Sequence, residues 1–115
     1  MMVVDDDQDI LSMVSAILSD EGYDVVTAEH GQAALAALAA SEPQVILLDM
    51  NMPVMNGWEF TNAYRQMPGQ QAPIVVFTAS GMAERTAKEI GADGFVGKPF
   101  DLDELLEVLD RFVSP

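Results

Sequence analysis

The sequence predicts an α/β fold, a doubly wound parallel sheet of five strands alternating with five helices. Two patterns point to it. Short apolar, β-branched runs recur along the chain, and longer segments with helical spacing of apolar residues lie between them. A third observation limits the size. A chain of 115 residues has room for one hydrophobic core, so residues 1–115 are read as a single domain.

The runs are Met1-Met2-Val3-Val4, Val25-Val26, Val45-Ile46-Leu47-Leu48, Ile74-Val75-Val76-Phe77 and a weaker Gly94-Phe95-Val96. Continuous apolar runs of this kind suit strands buried on both faces, as in a parallel sheet. Between the first two, Ile10, Leu11, Val14, Ile17 and Leu18 share one face of a helix that ends near Gly22. Leu35 and Leu38 mark an alanine-rich helix from about Gln32 to Ala40, stopped by Ser41-Glu42-Pro43. Trp58 to Met67 forms a third, stopped by Pro68-Gly69, and about Met82 to Ile90 a fourth, ended by Gly91. Leu102, Leu105, Leu106 and Leu109 form the stripe of the last helix, with Asp101 as N-cap. Strict strand–helix alternation gives right-handed crossovers, with the chemistry beyond the carboxyl ends of the strands.

Composition removes several classes of function. There is no cysteine, which excludes disulfide scaffolds, thiolate metal sites and cysteine nucleophiles. Five Lys and Arg against 19 Asp and Glu leave a formal net charge of −14, so neither nucleic acid nor an anionic membrane surface is expected as a direct partner. An apolar content of 50% excludes a disordered acidic tail. No run approaches the ~20 apolar residues of a membrane span, and no basic-then-apolar segment opens the sequence. A cytoplasmic location is expected.

The acids are not evenly spread. Asp5, Asp6 and Asp7 follow the first run directly, and Asp49 follows the third. If those strands are neighbours, the carboxylates converge at one end of the sheet, where like charges need a proton or a cation. Mg²⁺ suits one or two carboxylates supplemented by waters and a phosphate. Asp7 and Asp9 read instead as acids at a helix N-terminus. Two further strand ends join this edge, Thr78 after the fourth run and Lys98 after the fifth. A carboxylate nucleophile, a cation, a hydroxyl and a divalent metal are the minimal set for phosphoryl transfer, which rests on positioning and charge neutralisation.

At this point the chain resembles the receiver domain of two-component response regulators, over essentially all 115 residues. The resemblance rests on Val3-Val4-Asp5-Asp6-Asp7, on Leu47-Leu48-Asp49-Met50-Asn51-Met52-Pro53-Val54-Met55-Asn56-Gly57, on Phe77-Thr78-Ala79, and on Gly91-Ala92-Asp93-Gly94-Phe95-Val96-Gly97-Lys98-Pro99-Phe100. It implies a flavodoxin-like sheet with strand order 2-1-3-4-5. It implies that Asp49 is the phosphoryl acceptor, served by a sensor histidine kinase or a histidine phosphotransfer protein. Asp5 and Asp6 would bind Mg²⁺ together with Asp49, and the backbone carbonyl of Asn51 would be a further ligand. Thr78 would be the switch hydroxyl, Lys98 the ion-pair partner of the phosphoryl group and Phe95 the switch aromatic. The Lys98-Pro99 peptide would be cis. An unidentified downstream protein would read the switched surface. The domain would be a signalling device rather than an enzyme, its chemistry limited to self-phosphorylation and hydrolysis of the acyl phosphate.

Against this pattern, the segment between Thr78 and Gly91 is about two residues short, so a short, loosely held fourth helix is expected, and Gly97 is expected to add backbone freedom beside Lys98. Asn51 and Ser80 stand where the family's side chains flank the path of the attacking water. Met50, Met52 and Met55 read as packing residues, His30 as a surface turn residue and Trp58 as half-buried. Gly94 to Lys98 lacks the spacing of a phosphate-binding P-loop. A haloacid-dehalogenase-type hydrolase also carries an Asp after a strand, but its second Asp is replaced here by Asn51 and no cap domain fits. A receiver-like interaction module that is never phosphorylated is the remaining alternative. The complete set Asp5, Asp6, Asp49, Thr78 and Lys98 argues against it.

Overall fold

The structure, a computed structural model, describes residues 1–52, 55–69 and 71–113. Pro53 and Val54 of the motif around Asp49, and the terminal Ser114-Pro115, lie outside the described residues. The elements run β1 (Met2–Val4), α1 (Gln8–Asp20), β2 (Val26–Ala28), α2 (Gly31–Leu38), β3 (Ile46–Asp49), α3 (Gly57–Arg65), β4 (Ile74–Ala79), α4 (Ser80–Ile90), β5 (Gly94–Lys98) and α5 (Leu102–Asp110). The strands form one parallel sheet in the order β2-β1-β3-β4-β5, the order implied by the resemblance.

The apolar runs are continuous because alternate residues feed two different cores, one on each face of the sheet, where the length of the chain suggested room for one. Met2, Val4, Ile46, Leu48, Ile74 and Val76 pack with Phe60 and Tyr64 of α3, Ala34 and Leu38 of α2, and Ala87 and Ile90 of α4. Val3, Leu47, Val75, Phe77 and Val96 pack on the other face with Leu11, Val14 and Leu18 of α1 and Leu105, Val108 and Leu109 of α5. Met50 and Met52 are buried in the first of these cores and Met55 packs against it, as expected of packing methionines.

Several boundaries differ from the sequence reading. β2 starts one residue later and ends two residues later than Val25-Val26 suggests, and Leu102 is exposed, so the buried stripe of α5 begins at Leu105 and includes Val108. The fourth helix is not short: α4 has 11 residues and buries Ala83, Thr86, Ala87 and Ile90. The residues missing from this segment come from the connection, because β4 continues through Thr78 to Ala79 and α4 starts at the next residue. α1 is capped by Asp7, whose side chain accepts the N–H groups of Asp9 and Ile10. α2 is capped by His30, whose Nδ1 accepts the Ala33 N–H at 3.2 Å, so the lone histidine is a helix cap as well as a turn residue. α5 is capped by Asp101.

Candidate functional site

In an all-parallel sheet the strands end along a common edge. Here that edge brings together Asp5 and Asp6 just beyond β1, Asp49 closing β3, Thr78 near the end of β4 and Lys98 closing β5. Thr78 and Lys98 lie inside their strands rather than after them. In the ladder Thr78 pairs with Gly97, and Ala79 with Lys98.

Asp5 is fully buried. One of its oxygens accepts the Asp7 N–H at 2.9 Å and the other accepts from Lys98 Nζ at 2.7 Å. Asp6 is exposed. Asp49 is buried; its Oδ1 accepts the Asn51 N–H at 3.2 Å and lies 3.7 Å from Lys98 Nζ. Burial, and then the charge of Asp5, push the Asp49 carboxyl up from 3.8 to about 7, against the opposing pull of Lys98 and the Asn51 N–H. One ligand oxygen from each of Asp5, Asp6 and Asp49 lies within 4.8 Å of the other two. Crowded, hard carboxylate donors of this kind fit a small divalent cation, so the residues present match the expected metal.

The lysine is held from several sides. Its ammonium bridges Asp5 and Asp49 and sits 4.7 Å from the centroid of the buried Phe77 ring, which meets Phe100 edge-on at 5.6 Å. The Lys98-Pro99 peptide is cis. Thr78 is buried, and its Oγ1 accepts from Asn51 Nδ2 at 3.3 Å. A hydroxyl that accepts from an amide keeps its own proton free to donate elsewhere. Asn51 thus touches both Asp49, through its backbone, and Thr78, through its side chain. Ser80 turns its hydroxyl to the Lys98 carbonyl, donating at 3.0 Å.

Phe95 is not brought into this cluster. It is 40% exposed and lines a surface cavity of about 400 Å³ with Lys88 of α4 and Glu104 and Arg111 at α5. Trp58 is likewise 40% exposed, at the start of α3. The Phe77 platform under Lys98, the Asn51–Thr78 bond and the Ser80–Lys98 bond were not evident in the sequence. Each joins residues far apart in the chain, and the only local trace was the place of Asn51 and Ser80 two residues beyond Asp49 and Thr78.

Residues 1–110 match the family model of the response regulator receiver domain. Among curated relatives, the transcriptional regulatory protein PrrA of Mycobacterium tuberculosis is 39% identical over 106 residues, covering 91% of this chain and 46% of the relative. The response regulator MprA of Mycolicibacterium vanbaalenii is 39% identical over 107 residues with the same coverage. The chain spans about half the length of the curated relatives it matches. Among solved structures, the chemotaxis response regulator CheY4 of Vibrio cholerae superposes with a TM-score of 0.86 at 40% identity, covering 97% of this chain and 96% of that one. The receiver domain of NtrX from Brucella abortus gives 0.84 at 35% identity, covering 96% and 94%. Carboxylates, hydroxyl and lysine on one sheet edge, a sheet ordered 2-1-3-4-5 and a match over nearly the whole length lead to one assignment: the chain belongs to the response regulator receiver domains of two-component signalling.

Proposed function

We propose that this receiver domain is a phosphorylation switch whose acceptor is Asp49. The observation that carries the reading is the convergence of Asp5, Asp6 and Asp49 within 4.8 Å under a lysine that reaches both Asp5 and Asp49. A carboxylate oxygen of Asp49 would attack the phosphorus of a partner's phosphohistidine, forming an acyl phosphate as the phosphorus–nitrogen bond breaks. Asp5, Asp6, Asp49 and the Asn51 backbone carbonyl would hold Mg²⁺. When bound, the cation supplies charge neutralisation for the carboxylates and the transferred oxygens. Both oxygens of Asp5 already accept hydrogen bonds, so Asp6 and Asp49 have the freer donor atoms.

Lys98 would pair with a phosphoryl oxygen, 3.7 Å from Asp49 as it now stands, and Thr78 would donate its free proton to another. A group carrying about two negative charges there favours whichever state brings Thr78 and Lys98 closest, so phosphorylation shifts a two-state equilibrium. Phe95, on the α4–β5–α5 face, would follow Thr78. Hydrolysis of the acyl phosphate resets the switch; no further catalytic activity is assigned. A histidine kinase or phosphotransfer protein upstream, an unidentified protein downstream and a cytoplasmic setting complete the reading, with residues 1–115 as one domain. No described helix is long and apolar enough to cross a membrane.

The test is intact mass after exposure to acetyl phosphate, with and without Mg²⁺, for the native chain and Asp49→Asn. One Mg²⁺-dependent phosphoryl adduct, absent from Asp49→Asn, is expected. No adduct with several donors, together with no Mg²⁺ binding by titration, overturns the reading in favour of an unphosphorylated interaction module.

A further inference from the structure

The connection between β4 and α4 has no residues of its own, and α4 lacks a side-chain N-cap: Ala79 occupies that position without a capping hydrogen bond. The first turn of α4 is held instead against β5. Ser80 Oγ donates to the Lys98 carbonyl at 3.0 Å, and the backbone of Ser80 lies directly over Gly97. A Cβ at position 97 would stand 2.5 Å from Ser80 Oγ, 2.8 Å from Ser80 Cβ and 2.6 Å from Ser80 Cα. The last of these involves backbone, so no rotation of the serine relieves it. Among the described residues the glycines with positive φ are Gly22, Gly69 and Gly91. Position 97 therefore needs glycine for space and not for conformational freedom, which corrects the expectation drawn from the sequence.

We propose that Gly97 is a positioning residue for the phosphoryl site: its missing side chain seats α4 on β5, and with the Ser80–Lys98 bond it ties Thr78 and Lys98 into one unit. The inference rests on the acceptor reading of Asp49. Gly97 adjoins Lys98 in sequence and pairs with Thr78 in the ladder, while Ser80 lies two residues beyond Thr78. Any displacement caused by a side chain at 97 lands on the hydroxyl and the ammonium together. The carboxylates Asp5 and Asp6 follow β1, which is separated from β5 by β3 and β4, so the metal site meets that displacement only through the Lys98 ammonium, which lies 2.7 Å from Asp5 and 3.7 Å from Asp49 and competes with a cation for them. The signature is a split between phosphoryl uptake and cation binding.

The experiment compares the native chain, Gly97→Ala, Ser80→Ala and Gly94→Ala. Phosphoryl uptake from acetyl phosphate is followed by intact mass, Mg²⁺ affinity by titration and folding by urea denaturation. Gly94 is the control, since a Cβ there makes only ordinary contacts of 3.5 Å with Phe112 and Val108. Gly97→Ala is expected to slow uptake about tenfold or more with Mg²⁺ affinity at or above native, because small misplacements of reacting groups are costly while a displaced lysine leaves the carboxylates freer for the cation. Ser80→Ala, which introduces no clash, is expected to slow uptake about threefold with the same affinity, and it carries the test should Gly97→Ala fail to fold. Gly94→Ala should match the native chain. Native uptake rates in Gly97→Ala and Ser80→Ala overturn the inference and leave the acceptor reading standing. A parallel loss of uptake and Mg²⁺ affinity also overturns it, since that marks a general structural defect. No adduct on the native chain overturns the acceptor reading, and the inference with it.

Discussion

Asp49 is crowded by Asp5 and buried, and this makes its ionisation the most readily measured property of the site. With its carboxyl held at about 7 against an ordinary 3.8, the metal-free folded chain keeps a proton that the unfolded chain releases. The contribution of Asp49 to stability therefore falls as pH rises from about 4 to about 7 and is level above that window. Urea midpoints should show Asp49→Asn gaining on the native chain through this range, since the amide has no charge to desolvate; a constant difference across the range contradicts it. Asn51 offers a second test. Its side chain touches Thr78, so Asn51→Ala should alter the decay rate of the acyl phosphate several-fold while changing folding stability by no more than about 1.5 kcal/mol, the usual net worth of one neutral hydrogen bond. Decay rates unchanged in both Asn51→Ala and Ser80→Ala rule out a role for these residues in the lifetime.

Among the helices, α3 and α4 are joined at their carboxyl ends by Arg65. Its guanidinium donates to the carbonyls of Ile90 at 2.5 Å and Gly91 at 2.9 Å, satisfying acceptors that a helix end leaves open. Arg65→Ala should cost about 1–3 kcal/mol by urea denaturation, as charged donors are worth more than neutral ones. α3 itself begins with a capping box in which Asn56 accepts from the Glu59 N–H at 2.9 Å and the Glu59 side chain accepts from the Asn56 N–H at 3.2 Å. Asn56→Ala should cost about 1 kcal/mol and leave Mg²⁺ binding in place. Held at its end by Arg65 and at its start by Ser80 and Gly97, α4 is well anchored despite the shortened segment that suggested a loose helix.

For the molecule as a whole, stability rests on two cores and is opposed by a formal charge of −14. Leu48 is fully buried next to Asp49, so Leu48→Ala should cost about 2–5 kcal/mol. Screening by salt relieves the charge in general, whereas cation binding between Asp5, Asp6 and Asp49 acts at one place. At matched ionic strength, MgCl₂ should therefore raise the thermal midpoint more than NaCl does. The excess should shrink in Asp49→Asn. Equal effects of the two salts would argue against a specific cation site.

The alternation of runs and helical stripes was enough to read the α/β class, the order of elements and the edge where Asp5, Asp6, Asp49, Thr78 and Lys98 meet. These follow from periodicities set by near neighbours in the chain and from the rule that parallel strands end together. The strand order came from the resemblance, since periodicity says nothing about which strands pair. The rest required the folded chain. Lys98 meets Asp5 across 93 residues, and Asn51 reaches Thr78 across 27. Gly97 looked like a source of freedom because an unoccupied position and a flexible one are written with the same letter. Its role is visible only when Ser80 is seen packed against it, because close approach between distant segments leaves no period in the sequence.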